Sequence, residues 1–382
     1  MFSPSVGTFS FNDSVTSGVV VEQADLAPRD LPIVTRDSDV LAVAPVMPMR
    51  LIEPVESQPT ATDVVTTAAG DVAWGVHAVG ADTSPRTGAG VVVAVLDTGI
   101  DPNHVAFAGV NLVRRNFTTE SDDDLHGHGT HCAGTIFGRS VNNTRIGVAP
   151  GVTKAVIGKV LGSGGGSSAQ IASAIQWAID NGANIISMSL GIDFPGFQAA
   201  LQKQKGLPPE LATSIALEGY RQNVILFERL AATVRAQAAF VQPTLLIAAA
   251  GNESRRDVRP DFEIAVSPPA VSDGFISVAA LEQVGGSLDV ASFSNTGANV
   301  AGPGVGVLSA ARGGGLRSLS GTSMATPHVA GLAALWAEHV RSTSGILSLP
   351  RWLTALNASA TTQGFVAGID LSDIGLGLVT AP

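Results

Sequence analysis

Asp97, His128, Asn252 and Ser323 are four polar residues whose surroundings suit them to chemistry on a carbonyl group, and each stands where one kind of segment gives way to another. Ser323 lies in Gly321-Thr322-Ser323-Met324-Ala325-Thr326-Pro327-His328-Val329-Ala330-Gly331. Upstream, Ser309 to Ser320 is rich in Gly and polar residues. Downstream, Val329, Leu332, Ala333, Leu335, Trp336 and Val340 recur at helical spacing, so Ser323 is expected where a loop becomes a helix. There the hydroxyl can project into a cleft, and its own backbone N–H is a donor that no helical carbonyl satisfies. Pro327 is expected in the first turn or so, where a missing N–H costs little. A plain helix cap would use the same serine, so this stretch alone leaves cap and nucleophile both open.

Asp97-Thr98-Gly99-Ile100-Asp101 follows the apolar run Val91–Leu96. A carboxylate at a buried strand end needs a partner for its charge, and an imidazole N–H suits; the alternative is an Asx-turn that merely closes the strand. His126-Gly127-His128-Gly129-Thr130-His131-Cys132-Ala133-Gly134 holds three histidines in six residues. Metal binding is the rival reading, but no helical i, i+4 pair with an intervening Glu is present. Gly127 and Gly129 suit His128 to close approach at a helix start, whereas His126 and His131 read as structural or peripheral. In Leu246-Ile247-Ala248-Ala249-Ala250-Gly251-Asn252-Glu253, an amide fixed at a strand end can donate to a developing oxyanion without adding charge, or it can simply turn the chain.

The elements that must position these groups alternate. Val91–Leu96 is apolar without alternation, the mark of a strand buried on both faces, and similar runs occur at Ala155–Val160, Asn184–Leu190, Leu245–Ala250 and Phe275–Ala279. Ser167 to Asn181 reads as a helix capped by Ser167 or Ser168, with Ile171, Ala174, Ile175, Ala178 and Ile179 on one face and Gly182 ending it. Strands interleaved with helices predict an α/β fold, a mostly parallel twisted sheet with helices on both faces. In such sheets reactive groups gather at the carboxyl ends of the strands, which is where the motifs fall.

The totals bound the rest. The 382 residues are 45% hydrophobic and 14% charged, with 43 glycines, as in a loop-rich globular chain. The net charge of −10 and only four lysines disfavour nucleic acid and anionic membrane as partners. Cys132 is the sole cysteine, so no intrachain disulfide is possible. No apolar run is long enough to span a bilayer, and the first residues show neither a basic nor an apolar leader region, so no signal peptide is visible.

In the order Asp97, His128, Asn252, Ser323, the four blocks closely resemble the signatures of the subtilisin-like serine proteases, the subtilases, over about Trp74 to Trp336. Cys132 beside the histidine block is similar to the proteinase K branch. The resemblance implies a serine endopeptidase acting on peptide or protein substrates as a monomer. Ser323 is then the nucleophile, His128 the general base and then acid, Asp97 the residue that orients the imidazole, and Asn252 with the Ser323 backbone N–H the oxyanion hole. It further implies that Gly164, Gly165 and Gly166, with Ser189, Leu190 and Gly191, form two edges between which a substrate strand is added, and that Ser267 or Pro268 floors the first specificity pocket.

Departures from the family pattern shape the remaining expectations. The chemistry requires no cofactor and no metal. Where a structural calcium would sit, the Arg139–Arg145 loop offers Asn142 and Asn143 but also two arginines, which argues against the ion. Residues 1–65 are expected to be a short propeptide-like extension and linker, processed between about Glu56 and Gly70, and Asp39–Pro45 resembles the last strand of such an element. Residues 66–382 would form the catalytic domain, with an insertion at about 193–220 read as a surface loop. The acidic run Asp122–Asp124 reads as a solvated loop. Two alternatives remain: an α/β-hydrolase-type esterase, since Gly321–Ala325 resembles a nucleophile elbow although that fold places Asp and His after Ser, and an inactive subtilase-fold binding scaffold.

Overall fold

The computed structural model describes residues 5–11, 19–27, 29–55 and 71–382. Eight strands form the central sheet. From one edge the order is Ser287–Val290, Phe275–Val284, Leu245–Ala249, Ile185–Met188, Val92–Asp97, Lys154–Lys159 and Asn111–Asn116, with Val300–Pro303 also pairing with Phe275–Val284. All pairings are parallel except that of the Ser287–Val290 edge, which is an antiparallel hairpin. Val93, Ala94, Val95 and Leu96 are buried, as are all residues of Leu245–Ala249, so the unbroken apolar runs do mark strands covered on both faces. The chain order reverses at Val92–Asp97, which lies between Ile185–Met188 and Lys154–Lys159. Asp97 therefore ends a strand at a topological switch point, where crossovers diverge and leave a crevice.

On one face lie the helices His128–Phe137 and Thr322–Ser344, packed on each other and on the strands. A glycine faces this contact: a Cβ on Gly331 would stand 3.4 Å from the Ile136 carbonyl oxygen and only 2.5 Å from Val148 Cβ in the loop beyond that helix. The other face carries Ser168–Asp180, whose cap Ser167 accepts from Gln170 N–H at 3.3 Å, and Pro209–Gln237, anchored where Phe227 meets Phe275 edge-on with 6.1 Å between ring centroids.

The 193–220 segment is not a loop. It is a helical hairpin, Phe194–Lys205 followed by Pro209–Gln237, closed by Leu201, Ala212 and Ala216 against Phe194, Phe197, Leu207 and Ile215. Asp193 caps the first helix by accepting from Gly196 N–H at 3.1 Å, and Gly206, at φ 65°, ends it.

At the N-terminus, Val19–Asp25, Ser5–Phe11 and Val43–Pro45 form a small antiparallel sheet in that order. It rests on the outer helices: Val19–Asp25 on Ser168–Asp180 and Val43–Pro45 on Pro209–Gln237. Asn223 donates to the Pro45 carbonyl at 2.9 Å, and Met47 is wholly buried with its sulfur 3.0 Å from where a Gly219 Cβ would stand. The chain then continues as the strand Pro48–Leu51 across the carboxyl ends of the central sheet.

Candidate active site

Asp97, His128, Asn252 and Ser323, far apart in the chain, converge at one end of the sheet, and all four are buried. The His128 Nδ1–H donates to Asp97 Oδ1 at 2.8 Å, and the same oxygen accepts from Thr98 N–H at 2.7 Å. With Nδ1 protonated, Nε2 is left as the basic nitrogen, and among the described residues it has no hydrogen-bond partner. Burial alone would push this imidazole down. The Asp97 carboxylate outweighs it and holds His128 well above the ordinary 6.5. Burial also raises the Cys132 thiol, leaving it neutral, so Asp97 is the charge that matters to the ring.

The start of the His128 helix is held by Asp124, so the acidic run is not all solvated loop. Asp122 and Asp123 are exposed, but Asp124 is only 2% exposed. One of its oxygens accepts from Gly127 N–H at 2.7 Å and from the Thr98 hydroxyl at 2.8 Å; the other accepts from the Thr130 hydroxyl at 2.6 Å and Thr130 N–H at 2.9 Å. One carboxylate thus ties the first turn of the histidine helix to the loop after Asp97. Burial opposes its charge, but these donors together hold Asp124 below the usual carboxylate range. The other histidines divide as expected. His131 is buried with its Nε2–H donating to the Val307 and Arg317 carbonyls, and burial lowers it to about 3, so it stays neutral. His126 is half exposed at the rim.

Ser323 is the second residue of Thr322–Ser344, but Pro327 lies past the first turn rather than within it. Its missing N–H would have bonded the Ser323 carbonyl. That carbonyl instead accepts from the Ser189 hydroxyl at 3.3 Å and the Cys132 thiol at 3.4 Å, which fixes the turn that carries Ser323 against the histidine helix and Ser189. The Asn252 amide is oriented the same way: its oxygen accepts from Thr322 N–H and the Thr322 hydroxyl, both at 2.9 Å, which turns the NH₂ toward the cleft.

The cleft holds part of the chain itself. Pro48–Leu51 is the middle strand between Leu190–Ile192 and Gly166–Ser167, antiparallel to both, with Arg50 opposite Gly191 and Met49 opposite Gly166. Gly165, at φ 82°, permits this approach, since a Cβ there would come within 2.5 Å of the Met49 carbonyl oxygen. Gly164 has open space around it and takes no part in the pairing. Ile52 N–H donates to the Ser189 carbonyl at 3.3 Å, and the Ile52 side chain lies beside Gly191, whose other neighbour is the Ser267 hydroxyl. The Ser323 hydroxyl donates to the Ile52 carbonyl at 2.9 Å, while the Asn252 amide donates to the next carbonyl, Glu53, at 2.8 Å. Downstream, Val55 N–H bonds the Ser320 carbonyl at 2.8 Å. The proposed processing window, Glu56 to Gly70, lies outside the described residues.

Residues 88–360 match the family model described as the subtilase family. The chain belongs to the subtilase family, and it is a serine-type endopeptidase. This subtilase is 33% identical over 360 residues to the M-protease of Shouchella clausii (strain KSM-K16), covering 88% of this chain and 82% of that protein. It is 36% identical over 290 residues to an alkaline protease of Alkalihalobacillus alcalophilus, covering 74% of this chain and 64% of that protein. It is 32% identical over 329 residues to a cuticle-degrading serine protease of Arthrobotrys oligospora (strain ATCC 24927 / CBS 115.81 / DSM 1491), covering 80% and 68%.

The Arg139–Arg145 loop is poorly suited to calcium. Asn142 and Asn143, at φ 49° and 66°, form a tight turn between the bridged Val141 and Thr144. Arg139 donates to the Phe137 and Val152 carbonyls, and Arg145 to those of Ala81 and Val148, so cationic donors take up oxygens a cation would need. No described helix is long and apolar enough to cross a membrane.

Proposed function

We propose that this subtilase hydrolyses peptide bonds through an acyl-enzyme on Ser323 and that its own segment up to Val55 occupies the substrate track before release. Ser323 Oγ attacks the carbonyl carbon and His128 Nε2 takes its proton. Asp97 keeps the ring in the Nδ1–H tautomer and stabilises the imidazolium, which then protonates the leaving amine. Asn252 and the Ser323 backbone N–H stabilise the oxyanion. Water reverses the sequence to free the acid. All these groups come from one chain, in keeping with a monomer.

The observation that carries this reading is the strand in the cleft. A backbone pairs with both edges, its Ile52 carbonyl rests on the Ser323 hydroxyl, and a His–Asp pair stands beside them. The same contacts explain how the strand persists. The hydroxyl proton points to the Ile52 carbonyl rather than to His128, and the Asn252 donor is engaged one residue downstream. Nucleophile, base and oxyanion donor are therefore not yet aligned on one carbonyl. Ile52–Glu53 is the bond this arrangement presents for cleavage. The esterase alternative is disfavoured because Asp97 and His128 precede Ser323, and a silent scaffold because every chemical position is filled.

The test is labelling by a serine-directed fluorophosphonate with casein hydrolysis followed in parallel, in the wild type and Ser323→Ala. Both signals are expected in the wild type and neither in the variant; labelling that survives the substitution overturns the assignment.

A further inference from the structure

Arg50, opposite Gly191 and two residues before Ile52, meets two carboxylates: its guanidinium lies 3.3 Å from Asp193 and 2.8 Å from Glu253. Neither acid depends on Arg50 for its place. Asp193 caps the Phe194–Lys205 helix, and that helix is anchored by Phe194 against Tyr220 at 5.9 Å. Glu253 follows Asn252 directly, and its second oxygen accepts from Asn295 at 2.8 Å while the Asn295 oxygen accepts from Glu253 N–H at 3.0 Å. The two carboxylates therefore face one another across the substrate track as parts of the folded catalytic unit. Two negative charges held this close raise each other's energy unless a cation comes between them, and a planar guanidinium with several donors suits that place.

We propose that Asp193 and Glu253 form a specificity subsite that selects a basic side chain, arginine above lysine, two residues before the residue that acylates Ser323. The inference rests on the reading that Pro48–Val55 lies in the substrate track and extends it to substrate choice. It also gives the helical hairpin a function, because its first residue supplies one wall of the subsite. Asp193, Glu253 and Arg50 are all partly exposed, so the discrimination is moderate and salt-sensitive.

The experiment offers the enzyme expressed from the full chain two internally quenched octapeptides. One has the sequence of residues 48–55, and the other has Gln in place of Arg50. The ratio of their kcat/KM values is the readout. The expected ratio is roughly three- to tenfold in favour of Arg at low ionic strength, falling toward one in about 1 M NaCl. In Asp193→Asn/Glu253→Gln the ratio falls to near one; Asn still caps the helix and Gln still accepts from Asn295, so folding is kept. A wild-type ratio near one with both peptides cleaved overturns the subsite and leaves the protease reading intact, as does an Arg preference undiminished in the double variant. Failure of the wild type to cleave either peptide or casein contradicts the protease reading and the subsite with it.

Discussion

At the residue scale, the chemistry rests on a proton held at a known atom. His128 carries it on Nδ1, facing Asp97, and in the proposed mechanism the unpartnered Nε2 takes the Ser323 proton. Ser323→Ala is expected to lower kcat by about 10⁶, the scale measured when a subtilisin triad loses its serine. Asn252→Ala should lower it by about 10²–10³, again the loss measured for such a donor in a subtilisin. Steady-state kinetics on a peptide amide substrate check both. The base works only when neutral, and Asp97 holds His128 above 6.5 while the strand covers it. Release of the N-terminal segment should therefore accelerate as pH rises and level off well above pH 6.5. Rates measured by gel across pH would contradict this if they had already levelled below that value. The placement of the candidate residues was legible because each has a distinctive local setting: glycines around His128, a loop-to-helix junction at Ser323, a strand end at Asp97. Asp124 was not, because Asp122 and Asp123 before it are solvated and nothing in the run marks the third as a cap. Asp124→Ala leaves the Gly127 and Thr130 N–H groups buried without their acceptor. It is expected to destabilise the fold by about 2–3 kcal/mol in urea unfolding and to reduce activity.

At the scale of elements, strands and helices were largely legible from periodicity, since parallel strands covered on both faces leave an unbroken apolar signature. The segment after Asp193 was misread because its first helix is amphipathic only weakly. Lys203, Gln204 and Lys205 are exposed, and Leu201 meets the second helix in a small separate cluster, with only Phe194 and Phe197 reaching the main core as well. Pro208 and Pro209 suggested a loop, but they stand at the cap and first position of Pro209–Gln237, where proline fits. The fit is tight where His128 is placed. A Cβ on Gly129 would run into the Gly99 carbonyl oxygen, and backbone cannot yield as a flexible side chain can. Gly129→Ala is therefore expected to cost about 1–3 kcal/mol and to move the imidazole off Asp97. Thermal unfolding would register the first effect and a fall in kcat with little change in KM the second.

At the scale of the whole molecule, the N-terminal sheet sits on the outer helices, and the strand that follows it, Pro48–Leu51, runs into the crevice that holds Ser323, so one segment bridges packing surface and candidate site. The short apolar run at Val40–Ala44 pointed to a strand, and Val43–Pro45 is one. The register of the strand was not, because it is set by Gly165, Ser189 and Gly191, more than a hundred residues away. The most direct measurement is N-terminal sequencing with intact mass of the purified wild type and of Ser323→Ala, each expressed alone. A wild type beginning at Glu53 beside a full-length variant is the predicted result. The variant cut at that same bond, or a wild type that never loses the segment under conditions where casein is hydrolysed, would contradict the account.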